Sequence, residues 1–447
     1  MQIKLFQEVG LNRVFKYLES TNAVKDIEIN ELTLRSLLKQ SSISLSLENC
    51  NRLISTLFCE VGLSYVQQSQ RYVKMTPTGY SFPVEISPEF EEKSKELIEK
   101  AFDLYRRMTE LRDDIEAKGR PKTEYYKHGI PIEDGRYILP LACNTNLVAT
   151  FSGDQLIDIY RLIENPLYSE LFKEFKAQLD ALIPADILKH IKKCAKNLSN
   201  PDIEEEFYKE YLKEISTSNN LILFDTFKNP IVNVGLGAIT STQSAPPSVT
   251  YETWGENVVE KSRGVAERVI GYGHYSITEQ TRTAFGMMMS LTTYHQFIRH
   301  RLPKNYRENL SELILDKDRE VVVPPTIANS PFLNEYLDLV KEFKDFRAEM
   351  YAKDKDGALS LLLNCDQIKV VSNANARIDC DIMKERTCLN AQWEIRDLYI
   401  KKLKVLRNLS DVIYREALPS CMKGKCKEGK LSCGKPQVIR EILEKTI

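Results

Sequence analysis

The chain has 447 residues, of which 43% are hydrophobic and 28% charged, and its formal net charge is −1. This composition is ordinary for a globular protein, and the length favours two or three domains. The near-neutral charge argues against a general nucleic-acid-binding protein but leaves room for a local basic patch. We expect no membrane association, because no apolar run reaches the ~18 residues that span a bilayer. Ten cysteines at irregular spacing, with no secretory signal pattern at the start, predict reduced thiols and a cytoplasmic location.

The first part of the chain is predicted to alternate helices and strands between polar joints. A winged-helix interpretation of residues 1–80, with 49–58 as recognition helix and 71–82 as wing, is disfavoured. Arg52 is the one basic residue in that helix, whereas a helix that contacts DNA needs more positive charge. In chain order, the predicted elements are helices 11–18, 32–38 and 47–58, strand 71–75, the long helix 88–118, the strand-like run 138–150, and helices 155–162 and 166–182.

The second part of the chain repeats this order of helix, motif, long helix, strand and helix. The repetition predicts a duplication with domains 1–215 and 216–447. Met287-Met288-Met289 is expected to fill the core. In chain order, the predicted elements are strands 221–224 and 231–236, a surface loop at 240–250, helices 256–271, 278–291 and 334–353, strand 368–372, and helix 397–416 before a tail rich in Cys, Gly and Lys.

The second half carries a set of short motifs in a fixed order. The segments are Gly273-His274-Tyr275-Ser276-Ile277-Thr278-Glu279, Gln296 followed by Arg299-His300-Arg301, Asn373-Ala374-Asn375-Ala376-Arg377, and Arg386 followed by Ala391-Gln392-Trp393-Glu394-Ile395-Arg396. In this order and spacing they resemble the flavin-dependent thymidylate synthases over nearly the whole half. Arg-His-Arg alone would be a weak signal, because a basic helix end also favours its own C-terminal dipole.

Two pieces of that family's pattern are missing from the second half. Asn309 and Ser311 stand where the family has a serine and an arginine after Arg-His-Arg. By count, Leu359 stands where the family's Glu-Asp-Ala-Arg has its arginine. The second half by itself therefore lacks the residues that would contact a nucleotide in the resemblance.

The first half contains both missing pieces. Residues 64–72 hold Ser69 and Arg71, and Ile132-Glu133-Asp134-Gly135-Arg136 resembles Glu-Asp-Ala-Arg with Gly for Ala. The first half lacks the Arg-His-Arg, where Cys59-Glu60-Val61 stands instead. The retained residues are complementary, which indicates a fused duplication whose halves have divided one site between them.

The resemblance implies an α+β fold of two thymidylate-synthase-complementing-like halves, each with a mixed sheet and long helices, packed as a pseudo-dimer. It implies FAD-dependent methylation of dUMP to dTMP with methylenetetrahydrofolate and NADPH, in a homodimer that imitates the family's homotetramer. The implied roles are catalytic for Ser69, Arg136 and Arg299; nucleotide-binding for Gln67, Gln68, Ser69, Gln70, Arg71, Arg136, Gln296 and Arg299; and cofactor-binding for Ser276, Glu279, Arg299, His300, Arg301, Asn375, Asp381 and Arg386, with no metal ligand.

These residue types suit the implied chemistry. Arginine forks match phosphate oxygens in pairs and stay charged at any working pH. Methylation at C5 of uracil develops negative charge on a ring carbonyl, which a fixed arginine such as Arg299 or Arg136 would stabilise. Because His300 lies between two cations, we expect it to be neutral.

Other interpretations stay open. A related pyrimidine nucleotide could be alkylated or hydroxymethylated instead, since Val66, Gln67 and Gly135 depart from the family's usual residues. A decayed, non-catalytic paralogue that binds nucleotide or flavin is the third hypothesis. In the tail, Cys421, Cys426 and Cys433 are spaced more widely than zinc ligands usually are, so reduced thiols are favoured over a metal site.

Overall fold

The computed structural model describes residues 1–22, 29–113, 115, 129–196 and 201–446. The chain forms two compact units that alternate along the sequence. Unit 1 comprises Met1–Leu111, Ile132–Glu204 and Asn309–Asp366, and unit 2 comprises Arg112–Pro131, Glu205–Glu308 and Gln367–Ile447. A segment of the second sequence repeat therefore belongs to unit 1. The predicted boundary at residue 215 concerns the repeat rather than these units, and it stays a prediction.

The described residues form strands and helices in an order that recurs. The strands are β1 (Gln2–Val9), β2 (Ser42–Asn51), β3 (Ser64–Gln67), β4 (Asn144–Ser152), β5 (Leu221–Thr226), β6 (Arg282–Ser290), β7 (Lys304–Arg307) and β8 (Gln367–Asn375). The helices are α1 (Leu11–Asn22), α2 (Glu31–Leu38), α3 (Arg52–Glu60), α4 (Pro88–Glu110), α5 (Ile132–Gly135), α6 (Gln155–Ile163), α7 (Lys173–Asp180), α8 (Ala185–Ala195), α9 (Pro201–Glu214), α10 (Pro230–Thr240), α11 (Pro247–Trp254), α12 (Val258–Gly271), α13 (Leu291–Phe297), α14 (Glu312–Leu315), α15 (Pro325–Ala328), α16 (Leu333–Tyr351), α17 (Lys355–Ser360), α18 (Ala376–Arg386), α19 (Trp393–Leu409) and α20 (Pro436–Thr446).

Each unit contains one four-stranded sheet, and the two sheets have the same topology. The strand order is β1-β2-β4-β3 in unit 1 and β5-β6-β8-β7 in unit 2. This identity confirms the predicted α+β fold of two similar halves. All pairings are antiparallel. The expectation of a mixed sheet in each half was therefore wrong. Parallel pairs need a helical crossover between adjacent strands, whereas here each neighbour runs in the opposite direction.

The central strands explain two wrong helix predictions. Residues 278–291 were expected to form a helix but contain β6, which is buried from Thr283 to Ser290 and pairs with β5 and β8. The three methionines fill the core there, as predicted. Residues 47–58 were expected to be one helix, but β2 runs through Asn51, whose side chain then caps α3 by accepting from Ile54 N. A short apolar run fits a buried strand and a helix equally well by periodicity.

Two strand predictions were also wrong. Residues 71–75 lie in a turn after the short strand β3, which ends the winged-helix interpretation, because no wing hairpin forms there. Residues 231–236 lie in α10, which begins with Pro230 and crosses α12 at Gly235. A Cβ on Gly235 would lie 2.4 Å from Ser262 Cα, so the close helix crossing requires glycine. The long helix predicted at 88–118 ends at Glu110, and residues 114 and 116–118 lie outside the described part.

Unit 1 contains a local two-fold relation between the repeats. Leu141 N donates to Leu362 O (2.7 Å), and Asn364 N donates to Leu139 O (3.0 Å). Ala142 N donates to Ser360 O (2.8 Å), and Cys365 N donates to Tyr137 O (2.9 Å). The two bonds of each pair are related by a shift of 223 residues between the repeats. Leu141 of the first repeat, for example, corresponds to Asn364 of the second. Equivalent segments of the two repeats therefore pair with each other in antiparallel fashion.

Unit 2 contains a hydrophobic cluster whose aromatic members are partly buried. Ile215, Met288 and Val371 form its buried centre, and Tyr208 on α9 stacks on Tyr306 of β7 with ring centroids 3.8 Å apart.

All ten cysteines are free thiols. Within the described ranges, no helix is long and apolar enough to cross a membrane.

Candidate functional site

The first-repeat motif in unit 1 begins with a tight turn after β3. Ser69 Oγ accepts from Arg71 N (3.2 Å), and Ser69 O accepts from Tyr72 N (3.1 Å) and Val73 N (3.0 Å). Hydroxyl groups commonly close such turns through a backbone amide two residues on. The turn fixes the directions of the Gln70 and Arg71 side chains: Gln70 is buried and Arg71 is half-buried.

The structure brings the two first-repeat motif pieces together. Arg71 Nε donates to Glu133 Oε2 at 2.7 Å, although the residues are 62 apart in sequence. Glu133 is fully buried and begins the segment that continues to Arg136. Arg136 Nε donates to Glu133 O (3.1 Å), and loss of water on burial lowers the pKa of its guanidinium. Two arginines and one carboxylate thus share a nearly closed environment.

Several polar atoms around this environment are buried without a hydrogen-bond partner among the described residues. They are Gln70 Nε2, Glu133 Oε1, Arg136 Nη2 and Asn364 Oδ1. Such a group costs about 1–3 kcal/mol when it has no partner, so folded proteins rarely leave several together. Their grouping is typical of a site completed by a polar ligand.

Asn364 is a site residue that the sequence did not reveal. Its Nδ2 donates to Arg136 O (3.0 Å) and to Gln70 Oε1 (3.4 Å), and its side chain is fully buried. A second residue of the same repeat, Thr326, donates from Oγ1 to Asp134 Oδ2 (2.7 Å). Neither belongs to a motif, and their approach depends on the pairing of the two repeats inside unit 1.

Two of the predicted nucleotide-binding residues are engaged with the protein itself. Gln67 Nε2 donates to Ser55 Oγ (2.9 Å) and Thr145 Oγ1 (3.3 Å). Gln68 Oε1 accepts from Asn146 Nδ2 (3.1 Å), and Gln68 is exposed. These bonds hold β3 against α3 and β4, so both amides help position the turn that follows.

In unit 2, α13 carries the second-repeat motif, and its start is anchored firmly. Ser290 caps the helix by accepting from Thr293 N (3.0 Å). Glu394, from the Ala-Gln-Trp-Glu segment, accepts from Ser290 N (2.8 Å) and from Ser290 Oγ (2.5 Å). Gln392 in turn caps α19 by accepting from Glu394 N (3.1 Å). The closing segment therefore fixes the helix that ends at the Arg-His-Arg.

His300 lies among cations at the end of this helix. Arg386 Nε donates to His300 Nε2 (2.7 Å), and Arg386 Nη2 donates to Gln296 O (3.3 Å). Burial, followed by the charges of Arg386, Arg299 and Arg301, lowers the pKa of His300 to about 3. The imidazole is neutral at working pH, as the sequence predicted, and its Nε2 accepts a hydrogen bond because arginine can only donate.

The other Arg-His-Arg members are open to solvent. Arg299 and Arg301 are exposed, whereas Gln296 is buried and its Oε1 has no partner among the described residues. Two exposed guanidinium groups beside a buried amide acceptor suit a ligand that carries both negative charge and hydrogen-bond donors.

The remaining predicted cofactor residues surround α18. Ser276 and Glu279 are exposed on the 3₁₀ segment Tyr275–Gln280, which packs against α18. Gly273, just before this segment, has φ +88°, a conformation that glycine adopts without strain. Asn375 Oδ1 caps α18 by accepting from Ile378 N (2.9 Å), and Asp381 is exposed and paired with Lys384 (2.7 Å).

The structure thus groups the predicted residues in two sets. Ser69, Gln70, Arg71 and Arg136 belong to unit 1, and the Arg-His-Arg, Gln296 and the residues around α18 belong to unit 2. Among the described residues, no group of three or more His, Cys, Asp or Glu side chains is placed to hold a metal ion, the tail cysteines included.

Fold and site together define a duplicated α+β protein with a buried, arginine-containing polar cluster in one unit and an exposed Arg-His-Arg in the other. The family model for thymidylate synthase complementing proteins matches residues 20–166 and 223–410. The chain belongs to this family, which it matches in two segments, one in each repeat. It is an enzyme, a thymidylate synthase-like methyltransferase.

Relatives named flavin-dependent thymidylate synthase support the duplication. The protein from Clostridium tetani is 27% identical over 41% of this chain and 81% of its own length. Those from Geobacter sulfurreducens and Thermococcus onnurineus are 25% and 29% identical over 39% and 46% of this chain, and over 78% and 87% of their own lengths. Most of the length of each relative thus matches less than half of this chain.

A solved structure also resembles part of the chain. The UMP/dUMP methylase PolB from Streptomyces cacaoi has a TM-score of 0.33 and 16% identity, covering 44% of this chain and 93% of its own. A TM-score at this level carries no weight for function.

Proposed function

We propose that this protein methylates dUMP to dTMP, with methylenetetrahydrofolate as the carbon donor, NADPH as the reductant and FAD as the cofactor. The observation that carries the proposal is the buried polar cluster of unit 1. Gln70, Glu133, Arg136 and Asn364 each keep one buried atom without a partner among the described residues. A nucleotide would supply the missing partners.

The neighbouring turn supports a phosphate at one end of this nucleotide. Arg71 lies beside Ser69, and its ion pair with Glu133 holds the guanidinium in place before any ligand binds. Preorganised arginines lose little freedom when they bind phosphate, and their forks match its oxygens. Arg136 would face the base or its developing negative charge, where a fixed cation favours attack by C5.

The residues of unit 2 have a donor and acceptor set that fits FAD. Exposed Arg299 and Arg301 suit its pyrophosphate, while Ser276 and Glu279 suit its hydroxyl groups. Neutral His300, held by Arg386, suits contact with an uncharged ring. Bound FAD would supply the transfer of the methylene carbon and the hydride that completes the methyl group. The protein's own task is to bind, orient and exclude water.

We further propose that one active site draws on both repeats, in a homodimer that imitates the family's tetramer. The support is the complementary pattern of retained residues. Ser69, Arg71 and Arg136 remain in the first repeat, whereas their counterparts Asn309, Ser311 and Leu359 cannot serve. The Arg-His-Arg remains only in the second repeat. Random decay would not spare opposite pieces in this way.

The experiment that tests the function is tritium release from 5-tritiated dUMP by purified protein with FAD, NADPH and methylenetetrahydrofolate. Release together with dTMP by mass spectrometry is the expected result. Tritium release with a hydroxymethylated product would change the proposed product but would leave the proposed site standing. If the protein retains flavin and binds dUMP yet releases no tritium, the proposed methylation is wrong. The Arg299→Ala and Ser69→Ala variants serve as inactive controls.

A further inference from the structure

Asn364 holds both pieces of the first-repeat motif with one side-chain amide. Its Nδ2 donates to Gln70 Oε1 in the turn after β3 and to Arg136 O in the segment after α5, at 3.4 and 3.0 Å. The residue comes from the second repeat, and its side chain is completely buried. A buried amide that touches the backbone of one site residue and the side chain of another restricts both.

The two-fold relation in unit 1 gives Asn364 and Gln70 each a counterpart in the other repeat, and these counterparts are not polar. The shift of 223 makes Leu141 the counterpart of Asn364. Strand pairing makes Leu310 the counterpart of Gln70, since Gln67 pairs with Leu147 as Arg307 pairs with Val370. Leu141 and Leu310 are both buried. The polar residues Asn364 and Gln70 near Arg136 thus correspond to the apolar residues Leu141 and Leu310. Leu359 is the counterpart of Arg136 there.

We infer that Asn364, supplied by the second repeat, is a positioning residue that sets Gln70 and Arg136 for the base of a uracil nucleotide and confines nucleotide binding to one of two related places. The inference rests on the proposed function for the class of ligand. It adds a residue that neither the motifs nor the family membership supply.

The types of atom left without partners favour the base over the phosphate. Gln70 Nε2 and Arg136 Nη2 are donors, while Asn364 Oδ1 and Glu133 Oε1 are acceptors. A phosphate dianion offers acceptors only, so it would leave the Asn364 oxygen without a partner. The O4, N3–H and O2 edge of uracil offers two acceptors and one donor, so it can bond to both of the donors and to one of the two acceptors.

The test compares the binding of dUMP and deoxyribose 5-phosphate by titration calorimetry. The main variant is Asn364→Leu, which installs the residue type found at Leu141. We expect it to weaken dUMP binding by about tenfold or more, corresponding to lost hydrogen bonds. Deoxyribose 5-phosphate has no base, so its affinity should stay within about twofold.

A matched control and a double variant sharpen this test. Leu310→Met changes a buried side chain at the related place and should leave both affinities unchanged. Gln70→Leu combined with Asn364→Leu should weaken dUMP binding little more than either single change, because residues that act as a unit are not additive. If Asn364→Leu does not fold, Asn364→Asp keeps the shape and an acceptor while removing both donated bonds.

The outcomes separate the inference from the proposed function. Equal weakening of dUMP and deoxyribose 5-phosphate would mean that Asn364 has only a structural role, and unchanged dUMP binding in a folded variant would remove it from the site. Either result overturns the inference and leaves the proposed function standing. Failure of the unmodified protein to bind dUMP would overturn both.

Discussion

Arg71 and Glu133 form an ion pair of 2.7 Å in which the Glu133 side chain is fully buried and the Arg71 side chain is 12% exposed. The pair joins the turn after β3 to the segment that carries Arg136, and it places a negative charge between two arginines. The geometry explains how motif pieces that are distant in sequence become one cluster.

Replacement of Glu133 by alanine should strongly destabilise the protein. Removal of one partner from a buried ion pair costs about 3–5 kcal/mol, because the other charge stays without compensation. Chemical unfolding followed by fluorescence would measure the loss. The control is Glu110→Ala, which breaks the exposed contacts to Lys74 and Arg106 and should change stability by less than about 1 kcal/mol. Equal effects of the two changes would contradict the role assigned to Glu133.

A buried ion pair of unit 2 gives a further prediction. Lys402 Nζ lies 2.6 Å from Asp379 Oδ1, with side chains 4% and 0% exposed, and Thr283 also donates to Asp379. Asp379→Leu alone should cost about 3–5 kcal/mol, whereas Asp379→Leu with Lys402→Met should recover most of it. A denaturation series on the two variants decides this. No recovery in the double variant would show that the pair is needed beyond charge compensation.

The neutral state of His300 has a consequence for stability below neutral pH. Its pKa is about 3 in the folded protein and near 6.5 when unfolded, so the unfolded chain binds more protons between these values. Stability from this group is therefore complete above pH 6.5 and falls as the pH drops towards 3, by up to about 1.4 kcal/mol per pH unit.

Unfolding measured from pH 7 to 4.5 should show a shallower decline in His300→Gln than in the unmodified protein. Arg386→Gln removes a neighbouring positive charge and the donor to Nε2, so NMR titration should find the pKa of His300 raised. An imidazole that titrates near 6.5 in the unmodified protein would disprove the predicted environment.

Glu394 should affect the Arg-His-Arg helix without touching a ligand. Glu394→Ala removes the acceptor for Ser290 N and Oγ and should cost about 1–3 kcal/mol, while dUMP methylation declines further because α13 is less well fixed. Glu394→Gln retains an acceptor and should be milder. The exposed Glu385→Ala is the control. Full activity of Glu394→Ala would show that the α13 anchor is dispensable.

Mixing of inactive variants tests the division of the site between repeats. Ser69→Ala and Arg299→Ala should each abolish methylation. If both residues of a site come from one chain, a mixture of the two unfolded and refolded variants stays inactive. If they come from different chains of a dimer, mixed dimers contain one intact site and activity returns. Substantial activity in Ser69→Ala alone would refute a site that uses both repeats.

The sequence determined much of this protein's organisation. The repeat, the α+β class, the long helices near α4 and α16, and the two sets of motif residues could be predicted, because helical periodicity and motif order are local properties of the chain. The neutral state of His300 could also be predicted, since Arg299 and Arg301 are its neighbours in sequence.

Only the tertiary structure decided which apolar runs are strands and which polar atoms are buried. Residues 282–290 became β6 because partners are available on both edges, a condition absent from the sequence of β6 itself. Asn364 reaches Gln70 through the pairing of residues 137–142 with 360–365, which lie far apart along the chain. Local pattern fixes the elements that a segment prefers, whereas contacts between distant segments fix burial, partners and the composition of the site.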